Sequence, residues 1–256
     1  MAMLECYFDD SGTHGDSKIV TWGGLMGTSK QWDYLDKRWR KLLAEPLPGK
    51  PPLKQFHLSH CAALDGEFKD YKRGESDRLR YLFRQIIADA KLESYSFSVS
   101  TRDFDDLVRG RARDYFGSPE RLAITGCLGR SLIRANELGH EFVSIILDQG
   151  RMSDEIRAYA KAVEDTYIGA AALVSIAAMK VGHWTPLQAA DTVATEGYWS
   201  ARTRLERGAP EYSPHLKSML GKLEVMRGYI MERSHLEKLV RTYRVNPNKP
   251  LVVVPH

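Results

Sequence analysis

Four aspartates carry the residue types and spacing that could do chemistry. Asp9 and Asp10 sit side by side in "CYFDDSGTHGDSK", where an apolar run gives way to Ser11 and Gly12. Asp148 closes "FVSIILD" ahead of Gln149 and Gly150, and Asp191 follows Ala189 and Ala190 in "TPLQAADTVA". Turn chemistry accounts for the first cluster as a hairpin, because Asp, Ser and Gly are good turn formers, and for Asp148 as the end of a strand before a Gln-Gly turn. Divalent-metal binding is the other reading. Carboxylates gathered in a partly desolvated site repel one another. Mg²⁺ or Mn²⁺ offsets that repulsion, with water and substrate phosphate completing its shell. Two such ions about 4 Å apart stabilise the attacking and leaving oxygens of a phosphodiester displacement. Asp191 lies past the first turn of its helix, where the helix dipole no longer explains an acid.

These acids need elements to hold them. Residues 3–9 and 18–27 read as two strands joined by an Asp/Ser/Gly/His turn, the second interrupted by Gly23 and Gly24 at a bulge or a close backbone approach. Trp32, Leu35, Trp39, Leu42 and Leu43 recur at helical spacing, so 29–44 is an amphipathic helix with Ser29 as its cap. It stops before the proline-rich "EPLPGKPP". A short extended piece, "LKQFHLSH", precedes a charged segment, 65–77, read as a surface loop, and then a helix carrying Leu79, Leu82, Phe83, Ile86 and Ile87. "LESYSFSVS" alternates as a strand with one buried face. A helix over 119–138 opens at Ser118-Pro119, and the nearly continuous apolar run of "EFVSIILDQG" suits a central parallel strand. A helix at about 153–166 and the strand "ALVSIAAMKV" follow. Thr185, Pro186 and Gln188 spell a capping box opening a helix to about Arg207. A last helix spans about 214–243, followed by an extended tail, 244–256. No repeat or low-complexity linker divides the chain, so a single domain over 1–256 is the simplest expectation. The order of elements calls for an α/β mixed sheet, antiparallel at its start and parallel afterwards, with helices on its faces. In such sheets sites form at the carboxyl ends of strands. Asp9 and Asp148 meet there if their strands are neighbours, and Asp191 can close over them. Alternation turns Asp9 and Asp10 to opposite faces, so Asp9 is the expected ligand.

Composition bounds the setting. The 256 residues are 43% hydrophobic and 27% charged, without an apolar run long enough to span a membrane. The N-terminus is acidic where a secretory signal would be basic. Cys6, Cys61 and Cys127 show no CxxC spacing, which argues for a reducing compartment and against structural zinc or a disulfide framework. Cytoplasmic location is the expectation. The net charge of +4 is mild, but arginines cluster at 102–113 and 202–207. They read as ion-paired helix faces or as phosphate-binding patches.

Taken in order, "YFDDSG", "VTWGGLM", "FHLS", "SIILDQG" and "PLQAADTVA" resemble the prokaryotic domain of unknown function 3800 family over residues from about 4 to 205. That resemblance implies an RNase H-like fold, helices on both faces of the sheet, and a metal-dependent nuclease acting on RNA or DNA with Mg²⁺ or Mn²⁺. It implies Asp9, Asp148 and Asp191 as catalytic metal ligands. Asp10 stands where the family usually has Glu, which shortens the carboxylate by one methylene and leaves its role between second ligand and turn residue. His57 matches a recurring family histidine able to bind phosphate or shuttle a proton. Gln188, one turn before Asp191, could orient it. Glu155 and Glu196 are both candidates for a fourth carboxylate. Two other classes stay open: a non-catalytic nucleic-acid- or protein-binding module of the same fold, and a phosphotransferase of the actin and sugar-kinase type. A homodimer through the late helix and tail is open too.

Overall fold

A computed structural model describes residues 3–13, 16–140, 142–148, 172–179, 184–208 and 226–245. Six strands among these residues form one sheet: β1 (Leu4–Ser11), β2 (Ile19–Thr28), β3 (Glu93–Ser100), β4 (Phe142–Asp148), β5 (Ala172–Met179) and β6 (Met226–Met231). Their spatial order is β5-β4-β1-β2-β3-β6. β1, β2 and β3 pair antiparallel, whereas β4 and β5 join β1 in parallel. A meander of three strands extended beyond its first strand by two parallel ones is the RNase H-like arrangement, and β6 adds a parallel strand beside β3.

The helices are α1 (Ser29–Ala44), α2 (Leu58–Ala63), α3 (Arg73–Asp89), α4 (Thr101–Leu107), α5 (Arg111–Phe116), α6 (Pro119–Glu137), α7 (Thr185–Arg207) and α8 (Arg233–Val245). The period-two alternation of β1 assigns them to two faces. Leu4, Cys6 and Phe8 join Trp22, Phe97, Val143, Ile145 and Leu147 in a core closed by α6 and α8. Tyr7, Leu25 and Ile146 point the other way, into a core built with α1, α3 and α7.

α7 lies close against the sheet because the residues beneath it are small. A Cβ on Gly23 would stand 2.5 Å from Ala194 Cα, and one on Gly197 would stand 2.8 Å from Ser96 Cβ. The β1–β2 register runs unbroken from Leu4↔Thr28 to Ser11↔Thr21, so Gly23 marks a close backbone approach and not a bulge. The same contact explains why both faces of β3 are buried rather than one: its serines are the floor under α7.

Other expectations need correction. The cap of α1 is Thr28, with Gln31 completing a capping box, in place of Ser29. The charged segment 65–77 contains a 3-10 turn, Gly66–Phe68, pinned by the buried Phe68, and the start of α3. The short helices α4 and α5 were not anticipated. Of the C-terminal helix expected at about 214–243, the described part from residue 226 is strand β6 followed by α8. Helical periodicity in "ERSHLEKLVRTYRV" is real, but Gly228, Tyr229 and Ile230 pair with β3, where Tyr229 meets Phe97 with ring centroids 5.0 Å apart. Arg244 and Val245, expected in the tail, close α8. The helix expected at about 153–166, residues 209–225 and residues 246–256 lie outside the described residues.

Candidate active site

The acids are brought together by register and by parity. β1 and β4 are parallel neighbours with Phe8 opposite Leu147, so Asp9 and Asp148 follow at the same carboxyl edge. Both share the sheet face of Tyr7 and Ile146, the face that α7 covers. Asp9 is paired across to Gly23, and Gly23 is the point where α7 touches the sheet at Ala194. One helical turn before Ala194 stands Asp191. The close approach therefore sets Asp191 over the tip of β1.

Burial and like charge dominate the electrostatics. Asp9 is 7% exposed and Asp191 4%. Burial raises the Asp9 carboxyl well above the ordinary range, and the charges of Asp191, Asp10 and Asp148 push it further the same way. The Asp10 amide, donating to Asp9 Oδ1 at 2.8 Å, works against that rise. Burial pushes Asp191 up to about 7, opposed by the Leu58 amide and by His60. Asp10 adds to the rise of both groups but turns toward the opposite face, where its Oδ2 accepts the Thr13 hydroxyl at 2.6 Å.

The segment before α2 lies along the same site. Leu58 N–H donates to Asp191 Oδ2 at 3.2 Å, and His57 Nδ1 stands 3.6 Å from that oxygen. The His57 ring is half-buried, stacks on His60 with centroids 4.4 Å apart, and has its pKa lowered by burial. Gln188 does not cap α7. The helix cap is Trp184 without a side-chain bond, and the Thr185 hydroxyl donates to Asp36 instead. Gln188 Oε1 accepts both Trp39 Nε1–H, at 3.0 Å, and Phe56 N–H, at 2.9 Å. The capping-box spacing is present, but tertiary partners take both side chains.

Glu196 is engaged elsewhere: it pairs with Arg84 of α3, both side chains 2% exposed. Glu155 lies outside the described residues. The arginine clusters are largely ion-paired, through Arg109–Asp106, Arg113–Asp105, Arg202–Glu206 and Arg204–Glu232. Trp39 and the Phe56 and Leu58 amides went unread in the sequence, since helical periodicity explains Trp39 and backbone amides leave no trace in side-chain patterns. Gly23 was legible. Among the described residues no three His, Cys, Asp or Glu side chains converge as a preformed metal cage.

No family model and no curated protein matches this chain. Two solved structures are similar over most of its length. One is a chain of the PCNA–RNase HII complex from Archaeoglobus fulgidus, at 12% identity and TM-score 0.42, covering 98% of this chain and 93% of that one. The other is ribonuclease H2 from Pyrococcus horikoshii OT3, at 13% identity and TM-score 0.42, with 98% and 92% covered. At these values the fold assignment rests on strand order and register, not on the superposition. No helix among the described residues is long and apolar enough to cross a membrane.

Proposed function

We propose that this chain is a divalent-metal-dependent nuclease that hydrolyses phosphodiester bonds of RNA or DNA, with Asp9, Asp148 and Asp191 as its catalytic acids. The observation that carries the reading is the burial of Asp9 against Asp191, with the Asp148 charge close enough to raise Asp9 further. A turn has no use for buried carboxylates that repel one another, whereas a cation site does. The donor set fits a hard cation, because it is made of carboxylate oxygens. Mg²⁺ is ordinarily held by one or two carboxylates with water and substrate phosphate, so it needs no complete cage of protein ligands.

When bound, the cation would neutralise the gathered acids and polarise a phosphoryl oxygen. Asp9 and Asp191 would hold it beneath α7, and Asp148 would complete the carboxyl edge. The Leu58 amide fixes one Asp191 oxygen. His57, whose pKa burial lowers, stands partly exposed 3.6 Å from Asp191 Oδ2, where it can donate to or accept from a phosphate ester. α7 and the segment before α2 shield Asp9 and Asp191 from bulk water.

Cleavage of single-stranded and duplex RNA, DNA and hybrid, with Mg²⁺ or Mn²⁺, tests the reading. Asp9→Asn and Asp191→Asn are each expected to lower the rate by more than about 100-fold while retaining the fold. Wild-type cleavage by either variant would sink the assignment. Loss of cleavage on every substrate, with Mn²⁺ binding retained, would shift it toward another phosphate ester.

A further inference from the structure

The segment entering α2 is tied to α7 at alternate backbone amides. Phe56 N–H donates to Gln188 Oε1, and Leu58 N–H donates to Asp191 Oδ2. His57 between them is extended, at φ −126° and ψ 116°. Alternate residues of an extended chain are about 6.6 Å apart, and helix positions three apart are neighbours, so the two acceptors on α7 match the two amides. Gln188 Oε1 also takes the Trp39 indole N–H, which uses both lone pairs of that oxygen. Gln188, Trp39, Phe56 and Leu58 are all essentially buried. The glutamine side chain is therefore held from two directions and cannot swing without orphaning two buried donors.

We infer that Gln188 is a positioning residue for Asp191, acting through this strap and not by touching the carboxylate. It sets the height of the strap over α7. The strap in turn presents the Leu58 amide to Asp191 Oδ2, leaving Oδ1 as the oxygen offered to a cation. The inference rests on the reading of Asp9, Asp148 and Asp191 as a metal site.

The test uses the full chain and Mn²⁺ alone, with binding followed by electron paramagnetic resonance, stability by thermal unfolding, and exchange of the Leu58 amide by NMR. Gln188→Leu keeps bulk but removes the acceptor. Gln188→Glu keeps an oxygen for both donors. Leu236→Ala, in the core on the opposite sheet face, controls for lost stability. Gln188→Leu is expected to weaken Mn²⁺ binding about 10- to 100-fold and to speed Leu58 exchange. Gln188→Glu, whose added carboxylate acts on the cation directly, should keep Leu58 exchange close to wild type, and Leu236→Ala should change neither property. Mn²⁺ affinity in Gln188→Leu equal to that of the control overturns the inference. If Gln188→Leu does not fold, Trp39→Phe, which removes the indole donor together with part of a buried ring packed on Phe56 and Phe83, must weaken Mn²⁺ binding beyond the Leu236→Ala control, and affinity equal to that control overturns it equally. Absence of Mn²⁺ binding by the wild type would overturn the metal-site reading and this inference with it, whereas binding by wild type and Gln188→Leu alike would overturn the inference alone.

Discussion

Asp191 couples the site to pH. Its folded pKa of about 7 stands above the value of about 3.9 in an unfolded chain. Between those limits the folded state holds the proton that the unfolded state has released. Stability from this group is therefore complete below about pH 4 and is lost as pH rises through about 7. In EDTA, urea unfolding of wild type should show that decline, and Asp191→Asn should lack its share of it. Equal pH slopes in the two proteins would remove the claim that this carboxyl is desolvated. The difference between the two matters, because Asp9 acts in the same direction and His57, whose pKa is lowered, in the opposite one. Cation binding should release protons for the same reason, and should weaken as pH falls below 7.

At the scale of elements, α7 is the part on which the site depends. Gly23→Ala would drive a methyl to 2.5 Å from Ala194 Cα, backbone that cannot step aside as a side-chain tip can. The expected cost is about 1–3 kcal/mol, measured by urea unfolding, with weaker Mn²⁺ binding as α7 lifts from Asp9. Stability within error of wild type would mean that the helix is not seated there. A second anchor, Arg84–Glu196, ties α7 to α3 within a buried interface. Glu196→Gln leaves the guanidinium buried and uncompensated, and should cost about 3–5 kcal/mol. Replacing both partners with apolar residues should recover most of that loss. An equal loss in the single and double variants would show that the pair acts by shape and not by charge.

For the whole molecule, the sheet and α7 together make the acids a property of the native state alone, since the unfolded chain separates Asp9 from Asp191 by most of its length. Mn²⁺ at about 100 times its Kd should then stabilise the protein by about 2.7 kcal/mol. For a chain of this size that raises Tm by about 2–4 °C per kcal/mol. Asp9→Asn should abolish the increment in calorimetry. An equal rise in the variant would place the ion elsewhere.

Sequence by itself determined what is local. Strand alternation in "CYFDD" and "FVSIILD" and helical spacing around Trp32 and Trp39 are carried by neighbours along the chain, so the mixed sheet and the positions of Asp9, Asp148 and Asp191 at strand and helix ends were legible. Where local signals compete with distant partners, tertiary structure decided. Gln188 satisfies the spacing of a capping box yet bonds to Phe56 and Trp39, 132 and 149 residues away. Glu196 was open as a fourth site carboxylate and is held by Arg84, 112 residues away. Met226–Met231 became a strand because β3 offered it an edge to pair with. A side-chain oxygen or a backbone amide bonds to whichever donor or acceptor the fold brings near, and that neighbour is set by the packing of the whole chain.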